Sequence, residues 1–265
     1  MKRSLFKSLF LILLAAALLC GCSAFPATAS SKNDVKTITV GCDTYAPFSY
    51  LDANGQPTGI DVELATEAFH RMGYDPQFRF INWEEKKELL ERGEIDCIWS
   101  SFTMTGRETE YKWAGPYMKS SQVVAVNPDS DIYTLSDLKD KTIAVQSTTK
   151  PEDILRSHDS RIPSLRKVFS VQERDLIFIL LSKGYVDALA AHDTSINEFS
   201  AETGLKFRIL DEPLMSVELG AAFSNSDTRG LDAALTKTLK KMQQDGTTRQ
   251  IMEKYLTDVE RYLED

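Results

Sequence analysis

Short apolar runs that end in polar loops are the main pattern along this chain. Residues 95–99 form such a run, which is typical of a strand buried on both faces. The segment before it, residues 83–92, has the spacing of an amphipathic helix, and Gly93 stands where helices often end. Hydroxyl side chains and Arg107 follow the run. Ligands of open α/β sheets bind beyond the carboxyl ends of strands, so the pattern predicts a binding loop; an ordinary polar loop is the alternative.

The same order of features recurs in the second half of the chain. A helical segment at residues 176–183 ends at Gly184, and an apolar run at 186–191 leads into four polar residues that begin at His192. Two helix-glycine-strand units predict two α/β lobes of similar build, whose strand ends face one shared cleft.

Periodicity and turn residues predict the remaining elements. Strands are predicted at residues 37–42, 77–81, 122–126, 142–145, 206–210 and 219–223. Helices are predicted at 60–72, from 151 onward, at 232–242 and at 248–256, with a helical turn at 135–138. Asn54-Gly55 predicts a hairpin, residues 111–117 are rich in turn formers and aromatics, and the tail after Asp258 is expected to fray.

The charge and the motif content exclude several classes of function. The 265 residues carry a net charge of −8, which argues against nucleic acid as a partner. The sequence has no nucleophile elbow, phosphate-binding glycine loop or cluster of metal-ligating residues, so neither a cofactor nor a metal is predicted.

The first 22 residues have the pattern of an export signal. Early cations precede an apolar core at residues 9–19, which is short for a membrane span. The core ends in Leu19-Cys20-Gly21-Cys22, which looks like a lipoprotein signal with Cys22 as the lipidated residue. A secretory signal cleaved after Ala24 or Ala27 is the alternative.

The segment after the signal is expected to be a tether. Residues 23–34 are rich in alanine, serine and threonine, which predicts a flexible connection. No later segment is long and apolar enough to cross a bilayer, so the mature chain is expected outside the cytoplasmic membrane, held there by its lipid. Two cysteines remain in the mature part, Cys42 and Cys97, which could pair or could simply be small buried side chains.

Two polar segments suit the recognition of a carboxylate. The guanidinium of Arg107 offers a planar fork of donors. Ser147-Thr148-Thr149 comes just before Pro151 and two acids, a pattern that indicates the start of a helix. Backbone N–H groups and hydroxyls there suit an anion, and capping of the helix by Thr149 is a compatible alternative.

Several short motifs occur in a fixed order along the chain. They are Asp43 to Phe48, Gly59-Ile60-Asp61-Val62, Gly93-Glu94-Ile95-Asp96, Gly115-Pro116-Tyr117, Ser136-Asp137-Leu138-Lys139 and Asp245-Gly246. Their order and spacing resemble the solute-binding proteins of polar amino acid ABC transporters, family 3. The resemblance implies a periplasmic-binding-protein-like fold of the α/β class, type II, with two α/β lobes joined by two crossing strands. Lobe I would comprise residues 35–124, lobe II residues 125–220, and residues 221–265 would return to lobe I.

The resemblance also implies a set of ligand-binding residues. The loop that ends at Arg107 would hold the amino and carboxylate groups of an amino acid, and Tyr45 and Trp83 would flank its side chain. In the family, an acid for the amine lies five residues after the aspartate that corresponds to Asp187. That position is His192 here and Asp193 follows it, so either residue could face the ligand. The full expected set is Asp43, Tyr45, Phe48, Trp83, Ser100, Ser101, Phe102, Thr103, Arg107, Gln146, Thr148, Thr149, His192 and Asp193.

The function expected from this resemblance is recognition rather than catalysis. The chain would act as a monomer that binds a free amino acid, with a polar or basic side chain favoured by Asp43, and would deliver it to an ABC transporter permease. A different role for Asp43 is to cap its own loop. Two other functions are possible on this fold: a cyclohexadienyl-dehydratase-like enzyme with Glu218 or Asp193 as proton donor, or the ligand-sensing subunit of a receptor.

Overall fold

The architecture consists of two groups of parallel strands, their helices, and two long strands between them. The computed structural model describes residues 36–157 and 159–264, so the predicted signal peptide, Cys22 and the tether lie outside the described residues. The strands are β1 Lys36–Cys42, β2 Tyr50–Leu51, β3 Pro57–Thr58, β4 Tyr74–Phe80, β5 Cys97–Ile98, β6 Lys112–Val126, β7 Thr142–Gln146, β8 Lys167–Val171, β9 Ala188–His192, β10 Arg208–Ile209 and β11 Met215–Phe223. The α-helices are α1 Ile60–Arg71, α2 Lys86–Glu91, α3 Lys150–Arg156, α4 Asp175–Ser182, α5 Asp193–Thr203, α6 Leu231–Gln244 and α7 Thr247–Met252. Short 3-10 helices occur at Trp83–Glu85, Leu135–Leu138 and Val259–Arg261.

One continuous sheet runs through both lobes. In the described ranges it has nine strands, in the order β4-β1-β5-β11-β6-β9-β7-β8, with β10 paired to β6. Strands β4, β1 and β5 are parallel, and so are β9, β7 and β8. The 15-residue strand β6 and its antiparallel partner β11 connect these two groups. The predicted fold class, two α/β lobes joined by two crossing strands, is therefore confirmed.

Lobe I packs its helices against the parallel group formed by β4, β1 and β5. Helix α1 buries one face, which carries Ile60, Leu64, Ala65, Ala68 and Phe69 at helical spacing. Its start requires a glycine, because Gly59 has a φ of 119° and a Cβ atom there would lie 2.3 Å from a backbone oxygen. The C-terminal helices α6 and α7 join the same hydrophobic core.

Lobe II is organised around β7 and β9. Every residue of both strands is buried, as expected for parallel strands covered on both faces. One face packs against Ile154 and Leu155 of α3, and the other packs against Ile177, Phe178 and Leu181 of α4. The predicted lobe boundaries, at residues 124/125 and 220/221, fall within the crossing strands β6 and β11 and stay a prediction.

Three local predictions were wrong. Residues 112–117 continue strand β6 instead of forming a turn, because they pair with β11. Residues 193–195, expected as part of a polar strand end, instead begin helix α5, which continues to Thr203. The C-terminal tail does not fray up to residue 264: Val259 and Tyr262 are buried, and the N–H of Lys119 donates to the carbonyl of Tyr262 over 2.8 Å.

Cys42 and Cys97 are both buried free thiols, which agrees with their interpretation as small core side chains rather than as a disulfide. None of the helices described at residues 36–157 and 159–264 has the length and apolar character to cross a membrane.

Candidate functional site

A cavity lies between the lobes, where the strands of both parallel groups end. Lobe I contributes the segments that follow β1 and β5, and lobe II contributes the ends of β7 and β9. The lining residues are Tyr45, Trp83, Ser100, Ser101, Phe102, Thr103, Arg107, Gln122, Gln146, Thr149, Lys150, Pro151, Arg174, Ala190, Ala191 and His192. This is the shared cleft that the two helix-glycine-strand units predicted.

The loop after β5 is held in shape by a buried carboxylate. Ser101 has a left-handed backbone, with a φ of 48°, which is uncommon for a residue other than glycine. Its N–H donates to Asp61 Oδ2, and the hydroxyl of Tyr117 donates to Asp61 Oδ1 over 2.7 Å. Burial raises the pKa of Asp61 to about 7. Asp61 thus fixes the loop from behind and does not itself line the cavity.

Arg107 is buried at the rim of the cavity. Its Nη2 lies 2.8 Å from Asp153 Oδ2 of lobe II, and its Cζ lies 5.4 Å from the ring centroid of Phe102. The indole N–H of Trp113 donates to the Arg107 carbonyl over 2.9 Å and fixes the backbone there. The guanidinium has donors beyond the one that contacts Asp153, which suits it to an additional carboxylate.

The turn at Ser147–Thr149 of lobe II, which faces Arg107, differs at one residue from the anion-binding segment that the sequence predicts. Thr148 is exposed and its N–H donates to Glu152 over 2.6 Å, so this N–H group is already engaged and Thr148 does not line the cavity. Thr149 does line the cavity, and its hydroxyl donates to the Gln146 carbonyl over 2.6 Å instead of capping helix α3. Thr149 occupies the N-cap position of helix α3, as the sequence allowed, but without a side-chain hydrogen bond to the helix. A contact of the Thr148 N–H group with a ligand stays a prediction, since this group is bound to Glu152 in the structure.

Of the two candidates at the end of β9, His192 lines the cavity. Its Nδ1 lies 2.7 Å from Ser120 Oγ, and its Nε2 lies 2.7 Å from Gln122 Nε2. Burial, with a smaller effect from Arg174, lowers the pKa of His192 to about 3, so the imidazole is neutral at physiological pH.

Asp193 points away from the cavity. Its carboxylate accepts from the N–H of Thr194 over 2.8 Å and from the hydroxyl of Tyr262 over 3.3 Å. It therefore links the start of helix α5 to the C-terminal tail and does not line the cavity, and which of His192 and Asp193 faces a ligand stays a prediction.

Asp43 and Phe48 stand behind the lining rather than in it. Asp43 Oδ2 accepts from Gln146 Nε2 over 2.8 Å and from Arg174 Nη2 over 3.0 Å. The ring of Phe48 packs against the rings of Tyr45 and His192, with centroids 5.3 and 5.9 Å apart. Both residues support the wall without reaching the cavity.

Sequence reasoning missed three polar side chains of the cavity wall. Gln122 lies on β6, Lys150 opens helix α3, and Arg174 immediately precedes helix α4. The guanidinium Cζ of Arg174 lies 3.2 Å from the ring centroid of Tyr45, across the cleft. Alternation along β6 could have pointed to Gln122, whereas no local pattern marks Arg174.

The cleft is closed by contacts between the lobes. Ser147 Oγ donates to Glu84 Oε1 over 2.6 Å, and Lys86 Nζ lies 2.8 Å from Thr148 Oγ1. The cavity at the centre measures about 20 Å³. Pockets that hold small molecules are usually about 300–1,000 Å³, so a ligand can enter only when the lobes separate.

Several buried polar atoms on the cavity wall have no partner within the described part of the chain. They are Ser101 Oγ, Gln122 Oε1, Gln146 Oε1 and Arg174 Nε. Buried groups without a partner are costly, at about 1–3 kcal/mol each, and their concentration around this cavity indicates where a polar ligand would bind.

Comparison with protein families decides the class. The model of the family described as bacterial extracellular solute-binding proteins, family 3, matches residues 38–258. The chain belongs to this family. Its fold places this family 3 solute-binding protein among the type II periplasmic binding proteins, and members of the family are extracytoplasmic or periplasmic.

Relatives of this solute-binding protein carry names of binding proteins rather than of enzymes. It is similar to the probable amino-acid-binding protein YxeM of Bacillus subtilis (strain 168), with 27% identity over 252 residues, which cover 93% of this chain and 94% of that protein. It is also similar to the putative amino-acid ABC transporter-binding protein PatH of Vibrio harveyi, with 29% identity over 233 residues, 86% of this chain and 91% of that protein. A solved structure of an ancestral arginine-binding protein bound to glutamine superposes with a TM-score of 0.75 at 26% identity, over 83% of this chain and 97% of that chain.

Proposed function

We propose that this chain captures a free amino acid outside the cytoplasmic membrane and delivers it to an ABC permease. The observation that carries the proposal is the convergence of Arg107, the serine-threonine loop after β5 and two aromatic rings on one closed cavity between two lobes. Unpaired buried polar atoms in that wall and the names of the relatives give further support.

The carboxylate of the amino acid binds between the lobes. Arg107 is its principal partner, because a guanidinium fork grips a carboxylate with two hydrogen bonds. Ser100 to Thr103 on one side and Thr149 on the other complete this end of the cavity. Ligand contacts from both lobes stabilise the closed cleft over the open one.

The ammonium group is held by neutral acceptors. Gln122 Oε1 and Ser101 Oγ are buried, line the cavity and have no hydrogen-bond partner among residues 36–157 and 159–264. His192 is uncharged and Asp193 faces the C-terminal tail, so this site differs from one that pairs the ammonium with an acid. The side chain lies between Tyr45 and Trp83.

Calorimetric titration of ligand-stripped protein with the common L-amino acids tests the proposal. We expect at least one clear binder, and Arg107→Gln should weaken it by about 10-fold or more, because a charge-assisted hydrogen bond contributes about 1.5–3 kcal/mol. Arg156→Gln is the matched control, since this helix α3 arginine is 55% exposed. If no amino acid binds, or if Arg107→Gln binds as the wild type does, the proposal fails.

Delivery to a permease requires a cellular test. Cells that lack this gene should take up the identified amino acid more slowly, and the wild-type gene should restore uptake. The Arg107→Gln gene should not restore it although its product is exported. Equal restoration by both genes would contradict delivery by this site.

Attachment to the membrane is proposed through lipid on Cys22, which lies outside the described residues. Cys22→Ser should abolish labelling by radioactive palmitate and should release the protein from the membrane fraction. Unchanged membrane attachment of Cys22→Ser would contradict the lipid anchor, and a wild type that is unlabelled and found in the soluble fraction would favour the secretory signal instead.

Neither acid named for the enzymatic alternative lines the cavity. Asp193 and Glu218 both border a separate groove behind the crossing strands, and Glu218 is exposed. No observation favours the sensing subunit of a receptor, so amino acid capture is the function that we put forward.

A further inference from the structure

A buried ion pair stands at one end of the cavity, where Arg174 lines the cavity and Asp43 lies behind it. Arg174 Nη2 lies 3.0 Å from Asp43 Oδ2, and the two side chains are only 8% and 12% exposed. Asp43 is the carboxylate that the sequence suggested as a partner for a basic ligand, yet it is already paired with a cation of the protein itself. We infer that the Asp43–Arg174 pair makes this end of the site select an amino acid whose side chain ends in a neutral carboxamide. This inference rests on the proposed function.

The pair disfavours both kinds of charged side chain. Asp43 also accepts from the N–H of Thr44 over 2.9 Å and from Gln146 Nε2 over 2.8 Å, so its lone pairs are largely occupied. A ligand ammonium or guanidinium would have to compete with Arg174 and would lie beside its positive charge. A ligand carboxylate would lie beside Asp43. Like charges at such distances in a buried site are strongly unfavourable.

Two unpaired atoms next to the ion pair complement a carboxamide. The orientation of Gln146 is fixed, because Nε2 donates to Asp43 Oδ2 and to the Gln172 carbonyl over 3.1 Å. Its Oε1 is then an acceptor without a partner among the residues that the structure describes. Arg174 Nε is a donor that also has no partner in the described part of the chain. Both residues are buried and line the cavity.

A carboxamide satisfies both atoms at once. Its carbonyl oxygen accepts from Arg174 Nε, and its NH₂ group donates to Gln146 Oε1. A carboxylate can satisfy only the first atom and an ammonium group only the second, so each leaves one buried polar atom without a partner. A site built to hydrogen-bond a particular group rejects the isostere that lacks it.

The structure suggests one competing role for the pair, which is to latch the lobes together without contact to the ligand. In that case, removing either partner would weaken all ligands by the same factor. A contact with the ligand instead predicts that the two removals change the preference in opposite directions.

Calorimetric titration with four amino acids of similar length separates these roles. L-glutamine, L-glutamate, L-lysine and L-methionine would be titrated into the wild type, Asp43→Asn, Arg174→Met and the double variant. Arg208→Met is the matched control, since Arg208 lies over the ring of Tyr133 with Cζ 4.3 Å from the ring centroid and does not line the cavity. L-asparagine and L-aspartate form a second, shorter isosteric pair.

We expect the wild type to bind a carboxamide amino acid at least about 10-fold more tightly than its isosteric acid and than L-lysine. Asp43→Asn should raise the affinity for L-glutamate relative to L-glutamine by about 10-fold or more, because Arg174 is then an unpaired cation. Arg174→Met should raise the affinity for L-lysine relative to L-glutamine, because Asp43 is then an unpaired anion. The double variant has no charge at this end, so it should still disfavour L-glutamate and L-lysine, but it should lose the preference for L-glutamine over L-methionine because the Arg174 donor is gone. Arg208→Met should keep the wild-type preference.

The outcomes separate this inference from the proposed function. If no amino acid binds the wild type, the proposed function fails and this inference fails with it. If an acidic, basic or apolar amino acid binds the wild type best and Arg107→Gln still weakens it, only the carboxamide inference is overturned. Equal weakening of all ligands by Asp43→Asn and Arg174→Met would also overturn it and would favour the latch. The wild-type comparison stands even if a variant does not fold.

Discussion

Lys86 of lobe I donates its ammonium group to Thr148 of lobe II, with Nζ 3.2 Å from the backbone carbonyl oxygen and 2.8 Å from the hydroxyl oxygen. The partners belong to different lobes, so this contact exists only while the cleft is closed. Lys86 is buried, and that burial, with a smaller effect from Arg107, lowers its pKa to about 7. Opening of the cleft would return the ammonium group to water and its pKa toward the ordinary value of 10.5.

Ligand affinity is therefore expected to rise with pH above about 7. Between the closed-state pKa of about 7 and the ordinary value of 10.5, the open protein binds more protons than the closed protein. Each unit of pH in this range then favours closure by up to about tenfold, and below pH 7 both states are protonated and the dependence ends. Calorimetric titrations from about pH 6 to about pH 9 measure the slope.

The variant Lys86→Met should remove this slope, because the ionisable group is gone. Lys87→Met is the matched control, since its neighbour Lys87 is exposed and should leave the slope unchanged. A slope that is the same in Lys86→Met and the wild type would show that another group links protons to closure.

Asp61 does not line the cavity, yet we expect it to contribute strongly to the stability of the fold. In Asp61→Ala, the buried N–H of Ser101 and the hydroxyl of Tyr117 both lose their acceptor. Each buried donor without a partner costs about 1–3 kcal/mol, so we expect a loss of about 2–5 kcal/mol in the free energy of unfolding. Urea denaturation measures this loss.

Asp52→Ala provides the comparison for this prediction. Asp52 also accepts from two backbone N–H groups, those of Asn54 and Gln56, but these bonds are exposed to solvent. Water replaces an exposed acceptor, so the loss should stay below about 1 kcal/mol. Equal losses for the two variants would contradict a structural role for Asp61 beneath the loop.

The lowered pKa of His192 predicts that the free energy of unfolding falls at acidic pH. Its pKa is about 3 in the folded protein, against 6.5 for an ordinary histidine. Below pH 6.5 the unfolded chain takes up a proton that the folded chain does not, so stability falls as pH falls, by at most about 1.4 kcal/mol per unit until pH 3.

The difference between wild type and His192→Gln isolates this effect from that of the carboxylates. The free energy of unfolding of His192→Gln should fall less steeply between about pH 6.5 and about pH 4.5. His70→Gln, at a site where the side chain is 55% exposed, is the control and should follow the wild type. Parallel curves for His192→Gln and wild type would mean that the pKa of His192 is the same in the folded and unfolded protein.

The fold was predictable because its strongest signals are local. Apolar runs such as 95–99 and 186–191 indicate buried strands whichever strands they pair with. Within the run 95–99, only Cys97–Ile98 forms a strand, which is β5. The crossing strand β6 shows the limit. Gly115 and Pro116 favour a turn locally, yet the long pairing with β11 incorporates them into the strand. Tertiary pairing of this kind overrides local propensity.

The candidate site was predictable where its residues follow strand ends. Ser100 to Thr103 and Gln146 line the cavity because they come directly after or at the end of buried strands. Arg174 was missed because its position depends on a contact with Asp43, 131 residues earlier in the chain, which no local pattern encodes. The choice between His192 and Asp193 was left open, because a shift of one residue in the register of β9 decides which of the two side chains faces the cavity.

The C-terminal tail is expected to stabilise the crossing strands. Tyr262 is 6% exposed, its carbonyl accepts from the N–H of Lys119 on β6, and its hydroxyl donates to Asp193 at the start of helix α5. Tyr262→Ala removes a buried ring and leaves Asp193 with one partner fewer, so the free energy of unfolding should fall by about 2–4 kcal/mol. Thermal and urea unfolding measure this loss. Tyr185→Ala is the control, because that ring is 72% exposed and should cost less than about 0.5 kcal/mol. A loss in Tyr262→Ala as small as that in Tyr185→Ala would mean that the tail is not held against the crossing strands and frays as its charged sequence suggested.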